Sequence, residues 1–354
     1  MNKVARIALV EFGGSHDECL YTQLKALKTI PVEVVFIGNQ SIWERNTTFH
    51  GLFDDFIPFE KPKGILEKWK SVKRFNQLLT SHQIQHVVFN TAQGSFVRDL
   101  CLFAKKAITY FGILHTTNKL NGSFTQKLIH SKIKNYAFLN PYFLDKIQIP
   151  KGIRVCAFRP ILFPTFQETI EKPNDECWIG IIGGVENRRK DLLGFQQFMQ
   201  AKSSRSVHYF FLGKTKADEP AYQALLAVKN QIPDLKVTFF EDFIPETTFD
   251  AYVQKMDFLL PLIHPDTPSS EEYMNHQLPG ALNIGLGYHI PFLMHEAYRD
   301  WEDLKPVSCY YNLEHLALDQ FLAQQQVLKA NYQQGISEES VMKDYLDFLH
   351  LHAH

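Results

Sequence analysis

The sequence predicts an α/β protein built from two doubly wound parallel-sheet domains, and three observations carry that prediction. Short apolar runs rich in Val, Ile and Phe alternate with stretches of helical spacing along the whole chain. The alternation occurs twice, on either side of a proline-rich, polar segment between Pro160 and Pro173 that reads as a linker. In each half the leading strand runs straight into a pair of glycines. Strands that alternate with helices pair in parallel, and two such units would face each other across a central cleft lined by strand C-terminal ends.

In the first half the strand Val4 to Val10 leads through Gly13-Gly14-Ser15-His16 into a helical pattern at Leu20, Leu24 and Leu27. Further strands are expected at Val32 to Ile37, Phe53 to Pro58, His86 to Phe89, Ile108 to Leu114, Tyr136 to Leu139 and Val155 to Phe158. Helices are expected at Ile65 to Leu79 and Val97 to Ala104, and a mobile polar loop around Asn121 and Gly122. The second half repeats the scheme, with strands at Ile179 to Ile182, Val207 to Leu212, Val237 to Phe240, Phe258 to Pro261 and Pro291 to Leu293. The domains are expected at residues 1–165 and 174–337, with 338–354 a helix crossing back to the first.

Composition bounds the class. The chain of 354 residues is 45% hydrophobic and 21% charged, enough for two packed cores. It holds no apolar stretch of membrane-spanning length and begins in a strand, so a cytoplasmic protein without a signal peptide is expected. Five scattered cysteines, none spaced Cys-x-x-Cys, read as free thiols. The net charge of −1 conceals a division: residues 1–170 hold 22 Lys and Arg against 12 Asp and Glu, and the remainder 15 against 26. A basic half calls for an anionic partner such as a phosphorylated substrate or a membrane surface; nucleic acid is not expected.

The stretch WIGIIGGVENRRKDLLGFQQF, Trp178 to Phe198, concentrates the chemistry. A buried strand meets two glycines, which let the backbone turn and approach a ligand, then Arg188, Arg189 and Lys190, then a run with helical spacing. Such a turn suits a diphosphate; a solvated basic helix start is the competing reading. Leu278-Pro279-Gly280-Ala281 opens a second helix whose free N–H groups favour a phosphate. His115, at a strand end, either meets a sugar hydroxyl or leaving phosphate or is simply packed. His16 has the same two readings, with Ser15 and Asp17 as plain helix caps in the second. Asn90, Thr91, Gln93 and Gly94 form a strand end suited to binding hydroxyls, or an ordinary turn.

Taken together, these pieces resemble the retaining nucleotide-sugar glycosyltransferases of the GT-B fold, the group-1, family 4-like enzymes of bacterial polysaccharide and lipopolysaccharide synthesis. Gly13-Gly14 resembles their N-terminal glycine loop, and Ile113-Leu114-His115 their strand ending in histidine. Gly184 with Arg189 and Lys190 is similar to their donor-diphosphate pattern, and Phe211-Leu212-Gly213 to a strand end. The run from Val237 through Phe243 to Tyr252 and Asp257 resembles the segment that carries the nucleobase pocket. In place of the family's glutamate pair stand His276 and Ile284; Glu271, Glu272 and Asn283 are the nearby substitutes, the glutamates being helix-start acids in the plainer reading.

The resemblance implies two Rossmann-like domains and transfer of a hexose from a nucleotide diphosphate sugar to a saccharide or lipid-linked acceptor. It implies catalytic roles for His115, Glu272 and Lys190. Gly13, Gly14, Gly184, Arg189, Gly213, Phe243, Glu271, Gly280, Ala281 and Asn283 would hold the donor, and His16, Asn90, Thr91, Gln93 and Gly94 the acceptor. No Asp-x-Asp triplet occurs, so no metal and no cofactor are expected. A nucleotide-sugar epimerase of the same fold, or a binding protein that has lost catalysis, are the alternatives. Lys61 to Arg74 carries six cations and one acid around Trp69, which fits either peripheral contact with an anionic inner membrane face or a solvated helix.

Overall fold

A computed structural model describes residues 4–332 and 336–351. Of the expected domains, residues 1–3 and 352–354 of the first and 333–335 of the second lie outside the described residues. The chain divides into one unit of Met1–Pro164 with Ser337–His354 and another of Thr165–Ile336.

The first unit begins with β1 (Ala5–Glu11), α1 (Leu20–Leu27), β2 (Val32–Gly38), α2 (Gln40–Arg45) and β3 (Asp55–Pro58). It continues with α3 (Ile65–Ser81), β4 (His86–Phe89), α4 (Gly94–Leu102) and β5 (Thr109–Leu114). Two short helices follow, α5 (Asn118–Asn121) and α6 (Phe124–Ile129), then β6 (Asn135–Phe138) and β7 (Arg154–Ala157). All pairings are parallel in the order β3-β2-β1-β4-β5-β6-β7, so the winding reverses between β1 and β4. Helices on both faces explain why β1 buries five consecutive residues instead of alternating. An aromatic cluster of Phe12, Phe59, Phe75, Phe89 and Phe96 fills part of one core.

The second unit runs β8 (Glu176–Ile182), α7 (Phe195–Gln200), β9 (Ser206–Lys214), α8 (Pro220–Gln231), β10 (Lys236–Phe240) and α9 (Glu246–Val253). It closes with β11 (Phe258–Leu259), α10 (Ser270–Asn275), α11 (Gly280–Gly287), β12 (Phe292–His295), β13 (Ser308–Tyr311) and α12 (Leu318–Asn331). This sheet is also parallel, in the order β10-β9-β8-β11-β12-β13, and reverses between β8 and β11. The last helix, α13 (Glu338–Phe348), belongs to the first unit. Gln23 of α1 donates to Tyr345 at 3.0 Å, and Phe348 packs edge-on to Phe111.

Three segments differ from the sequence expectation. The polar loop around Asn121 and Gly122 folds as α5 and α6, because Leu120 and Ile129 are buried and Ser123 caps α6 by accepting from Gln126 N at 3.2 Å. The helix expected to begin beside Arg188 begins only at Phe195. Asp191 delays it: its amide donates to Leu262 O at 2.8 Å, and its carboxylate accepts from Gly194 N at 2.7 Å. The sheet also gains β13, whose short Ser308–Tyr311 run carries little apolar signal.

Gly213 explains why β9 can end hard against the glycine turn. A Cβ there would stand 2.4 Å from the carbonyl carbon and oxygen of Gly183, whereas one at Gly184 would meet only Lys214 O at 3.8 Å. Gly213→Ala is therefore expected to destabilise the protein by roughly 1–3 kcal/mol, and Gly184→Ala to stay within about 0.5 kcal/mol. Thermal denaturation of the two variants checks this, and equal melting of both would contradict the close approach.

Candidate functional site

Many of the residues singled out in the sequence follow the strands at the two reversals of strand order. In the first unit a cavity of ≈ 180 Å³ opens beyond β1 and β4, lined by Glu11, Gly13, His16, Lys61, Thr91 and Gln93 among others. Gly13 thus stands in this wall, and Gly14 beside it passes its carbonyl to Arg45 at 3.0 Å. Gly94, with φ of 88°, opens α4 with no atom near its would-be Cβ, and Gln93 precedes it without a side-chain cap. Asn90, fully buried, donates to His16 O at 2.5 Å and accepts through its own carbonyl from His115 Nε2 at 2.8 Å.

Local sequence did not single out Glu11, yet it is central to this site. Its carboxylate accepts from Gly13 N and Thr91 Oγ1, both at 2.6 Å, and is 2% exposed. Burial raises its pKa, with the Thr91 and Gly13 bonds and nearby His16 offsetting part of the rise.

His16 and His115 stack with ring centroids 3.6 Å apart. His16 sits in the left-handed region (φ 70°) at the start of a single 3-10 turn, Asp17–Cys19, and no side chain caps that turn. Its Nδ1 lies 3.3 Å from Glu18 Oε1. Burial alone would lower its pKa, but Glu18, with Glu11 and Asp17 behind it, outweighs burial and raises it. His115 has no such partner. Burial, then the neighbouring His16 charge, pushes it down to about 4. His16, Glu18 and His115 offer ligand atoms within 4.8 Å of one another, which is metal-binding distance. Two rings stacked at 24° direct their in-plane lone pairs side by side, however, so a proton in this cluster is held by His16 against Glu18, while His115 Nε2 is taken up by Asn90 O.

In the second unit the reversal lies between β8 and β11. Gly183, with φ of 95°, makes the turn. Directly behind it, Lys190 is 7% exposed and donates through Nζ to Ile182 O at 2.7 Å. A Cβ at position 183 would lie 3.5 Å from that ammonium, so only glycine leaves it uncovered on that side. Burial, and secondarily Arg189, lower the Lys190 pKa to about 8. Arg188 and Arg189 stay on the exposed side of the turn.

The turn is pinned from below. His264 donates from Nδ1 to Asp191 at 2.7 Å and accepts at Nε2 from Tyr311 OH at 2.6 Å. Burial opposes the ionised Asp191, but the His264 bond and the Gly194 amide outweigh it and lower its pKa. Ser269 N donates to Arg188 O at 3.2 Å, bringing α10 with Glu271 and Glu272 to the same turn; Ser269 makes no side-chain cap. Gly280 and Ala281 open α11 without a side-chain cap, and Asn283 in that helix is buried with its Oδ1 unpartnered. Phe243 is 75% exposed in the loop between β10 and α9. Tyr288 N closes on Ile284 O, and His276 N on Glu272 O, so these two positions lie on different helix ends.

The two histidines pull stability in opposite directions as pH falls, and His115 is the acid-sensitive one. Between pH 6.5 and about 4 the unfolded chain binds a proton at His115 that the folded chain refuses, so stability falls as pH drops through that window. His16 contributes in the opposite sense, its stabilisation being present below pH 6.5 and lost as pH rises through its folded value. His115→Gln can still donate to Asn90 O and removes the first effect, on the order of 2–3 kcal/mol. Denaturant midpoints of parent and variant at pH 7 and pH 5 measure it; parallel losses in both would rule His115 out.

No protein-family model and no curated protein matches the sequence. Solved structures match over nearly the full length of both chains. A glycosyltransferase from Rickettsia africae superposes with a TM-score of 0.66 at 12% identity, covering 98% of this chain and 99% of its own. A UDP-N-acetylglucosamine 2-epimerase gives 0.62 at 11%, covering 99% and 95%. Staphylococcus aureus MnaA, solved with UDP, gives 0.59 at 10%, covering 99% and 98%. At such identities the likeness concerns the fold, and the fold of this chain is α/β of the GT-B type, two Rossmann-like units each built on one parallel sheet.

Proposed function

We propose that the chain is a glycosyltransferase that moves a hexose from a nucleotide diphosphate sugar, held by the second unit, to a saccharide or lipid-linked acceptor held by the first. The observation that carries this reading is the turn after β8, where an uncovered glycine lies over the buried ammonium of Lys190 and is rimmed by Arg188, Arg189 and Lys216. A diphosphate leaving group gains charge as the glycosidic bond breaks, and fixed cations in a site poor in water stabilise that charge most. The α11 amides at Gly280 and Ala281 add donors, and Phe243 offers an exposed ring for a base. In this assignment no metal or cofactor is required, because side-chain cations and amides offset the charge.

On the acceptor side, Glu11, Thr91 and Gln93 suit sugar hydroxyls, and His16 supplies a base. An imidazole raised above 6.5 by Glu18 is matched to take a hydroxyl proton near neutral pH. That feature favours direct displacement with inversion over the retention implied by resemblance, and the anomeric configuration of the product separates the two. The structural likeness to an epimerase supports a second reading in which only the sugar nucleotide is altered. Incubation of UDP-sugars without acceptor discriminates, since an epimerase converts the donor alone.

Lys190→Met keeps the volume of the buried stem and removes its charge. Turnover is expected to fall about 100-fold and nucleoside diphosphate affinity to weaken, with nucleoside affinity unchanged. In the parent, diphosphate binding should weaken as pH rises through 8, where Lys190 loses its proton. Calorimetric titration of both proteins at pH 7 and 9 measures these effects. Equal diphosphate affinity at pH 7 would reject the donor site.

The apolar stripe of α3 that buries Val72, Phe75 and Leu79 runs on past the core to Ile65, Leu66 and Trp69, which are 78%, 81% and 56% exposed. Phe103, at the end of α4, packs edge-on to Trp69, and Lys61, Lys63, Lys70 and Lys73 lie close to these residues in sequence. The partner proposed for it is an anionic membrane, to which each cation contributes roughly 1 kcal/mol. No helix among the described residues is long and apolar enough to span one. The protein should sediment with acidic vesicles at low salt and not with neutral ones, and Trp69→Ser should reduce this at least severalfold; equal binding to both vesicle types would remove the membrane.

A further inference from the structure

Glu186 occupies the place among the cations of the β8 turn where a ligand's charge would be best held. Its Oε1 lies 2.9 Å from Arg189 Nε and 3.7 Å from Arg188, and its Oε2 3.3 Å from Lys216 Nζ. The carboxylate is the inner partner, its side chain 21% exposed against 53–60% for the three cations. Backbone amides of Arg189 and Lys190 both donate to Glu186 O, at 3.3 and 3.2 Å, so the acid is anchored by the turn while long, mobile stems bring the cations to it.

Four positive charges within one loop and its neighbour repel one another, and Lys190 donates to a backbone carbonyl and forms no ion pair among the described residues. One internal carboxylate holds three of them together and leaves the loop with surplus positive charge. A monoanion gains little by exchanging with it. A diphosphate carries more charge and more acceptor oxygens than the carboxylate and displaces it, the arginines being able to grip phosphate oxygens in pairs.

We propose that Glu186 is an internal counter-anion that competes with the donor's diphosphate for Arg188, Arg189 and Lys216, setting the affinity of the site and speeding release of the nucleoside diphosphate after transfer. This rests on the second unit being the donor site. The acid keeps the cations gathered when no ligand is bound, and recaptures them as the product leaves.

The test titrates the full chain with inorganic pyrophosphate, UDP and uridine, for the parent, Glu186→Gln and Lys216→Gln. Glu186→Gln should bind pyrophosphate and UDP about tenfold more tightly, equivalent to about 1.4 kcal/mol. UDP release, followed by stopped flow, should be slower by a similar factor, and uridine affinity unchanged. Lys216→Gln should bind both anions more weakly than the parent, which tests the same cation set should the first variant fail to fold. Unchanged or weaker anion binding by a folded Glu186→Gln would overturn the proposal, because the acid would then only position the arginines. Parent protein that binds neither pyrophosphate nor UDP, nor ADP or GDP titrated in the same way, would overturn the donor assignment itself.

Discussion

A parallel sheet that winds outward in both directions has one place where neighbouring strands send their loops to opposite faces. In this chain those places are β1 against β4 and β8 against β11, and the rest of the site chemistry depends on them. Polar groups stand at these strand ends, held by hydrogen bonds from the diverging loops. Glu11, Asn90 and His115 in one unit, and Lys190, His264 and Asn283 in the other, are buried polar residues at or near these strand ends. Burying them costs solvation that a packed core would not have to offset, and the returns are hydrogen-bonded geometry and shifted proton affinities.

How much of this was legible in the sequence follows from the range of the interactions. β4 runs over His86–Phe89 as the apolar pattern indicates, because a strand covered on both faces writes its burial into consecutive residues. The glycines before Arg188 and the polar strand end at Asn90 were legible for a similar reason, since a tight turn needs particular residues locally. Glu11, Glu186 and the Asp191–His264–Tyr311 chain were not. Glu11 is one acid at the end of an apolar run, and only its meeting with Thr91, 80 positions away, shows its use. His264 lies 73 positions from Asp191 and 47 from Tyr311, beyond any local period. The start of α7 failed for a mixed reason: the helical spacing after Lys190 is real, but a long-range bond from Asp191 to Leu262 holds the chain out of helix until Phe195.

The division of charge between the halves takes on a different meaning once the residues are placed. The second half is acidic by count, yet its β8 turn gathers Arg188, Arg189 and Lys216 within reach of one acid, with Lys190 on a backbone carbonyl beside them. Net charge averaged over a unit acts at long range and is screened within about 10 Å in ordinary salt, whereas the potential at a crevice follows the few groups that face it. Part of the basic count of the first half lies in Lys63, Lys70 and Lys73, close in sequence to the exposed apolar end of α3, while the cavity beyond β1 and β4 is lined by one acid, Glu11, one histidine, His16, and one lysine, Lys61. An anionic surface and a neutral, hydroxyl-rich acceptor would then meet different parts of the same unit.

The four cations of the β8 turn divide the work between them. Arg188, Arg189 and Lys216 are exposed, mobile and screened, so each ion pair they form contributes little by itself, and their use lies in attracting and exchanging anions. Lys190 is held rigidly under Gly183, away from water, where a charge acts strongly on whatever approaches the turn and where its own proton is correspondingly easier to lose. A site made only of the surface cations would bind diphosphate without discriminating between ground state and departing leaving group. In the proposed donor site, one desolvated ammonium at a fixed position would supply the term that grows as charge develops, and the glycine beside it would leave that charge open to the ligand.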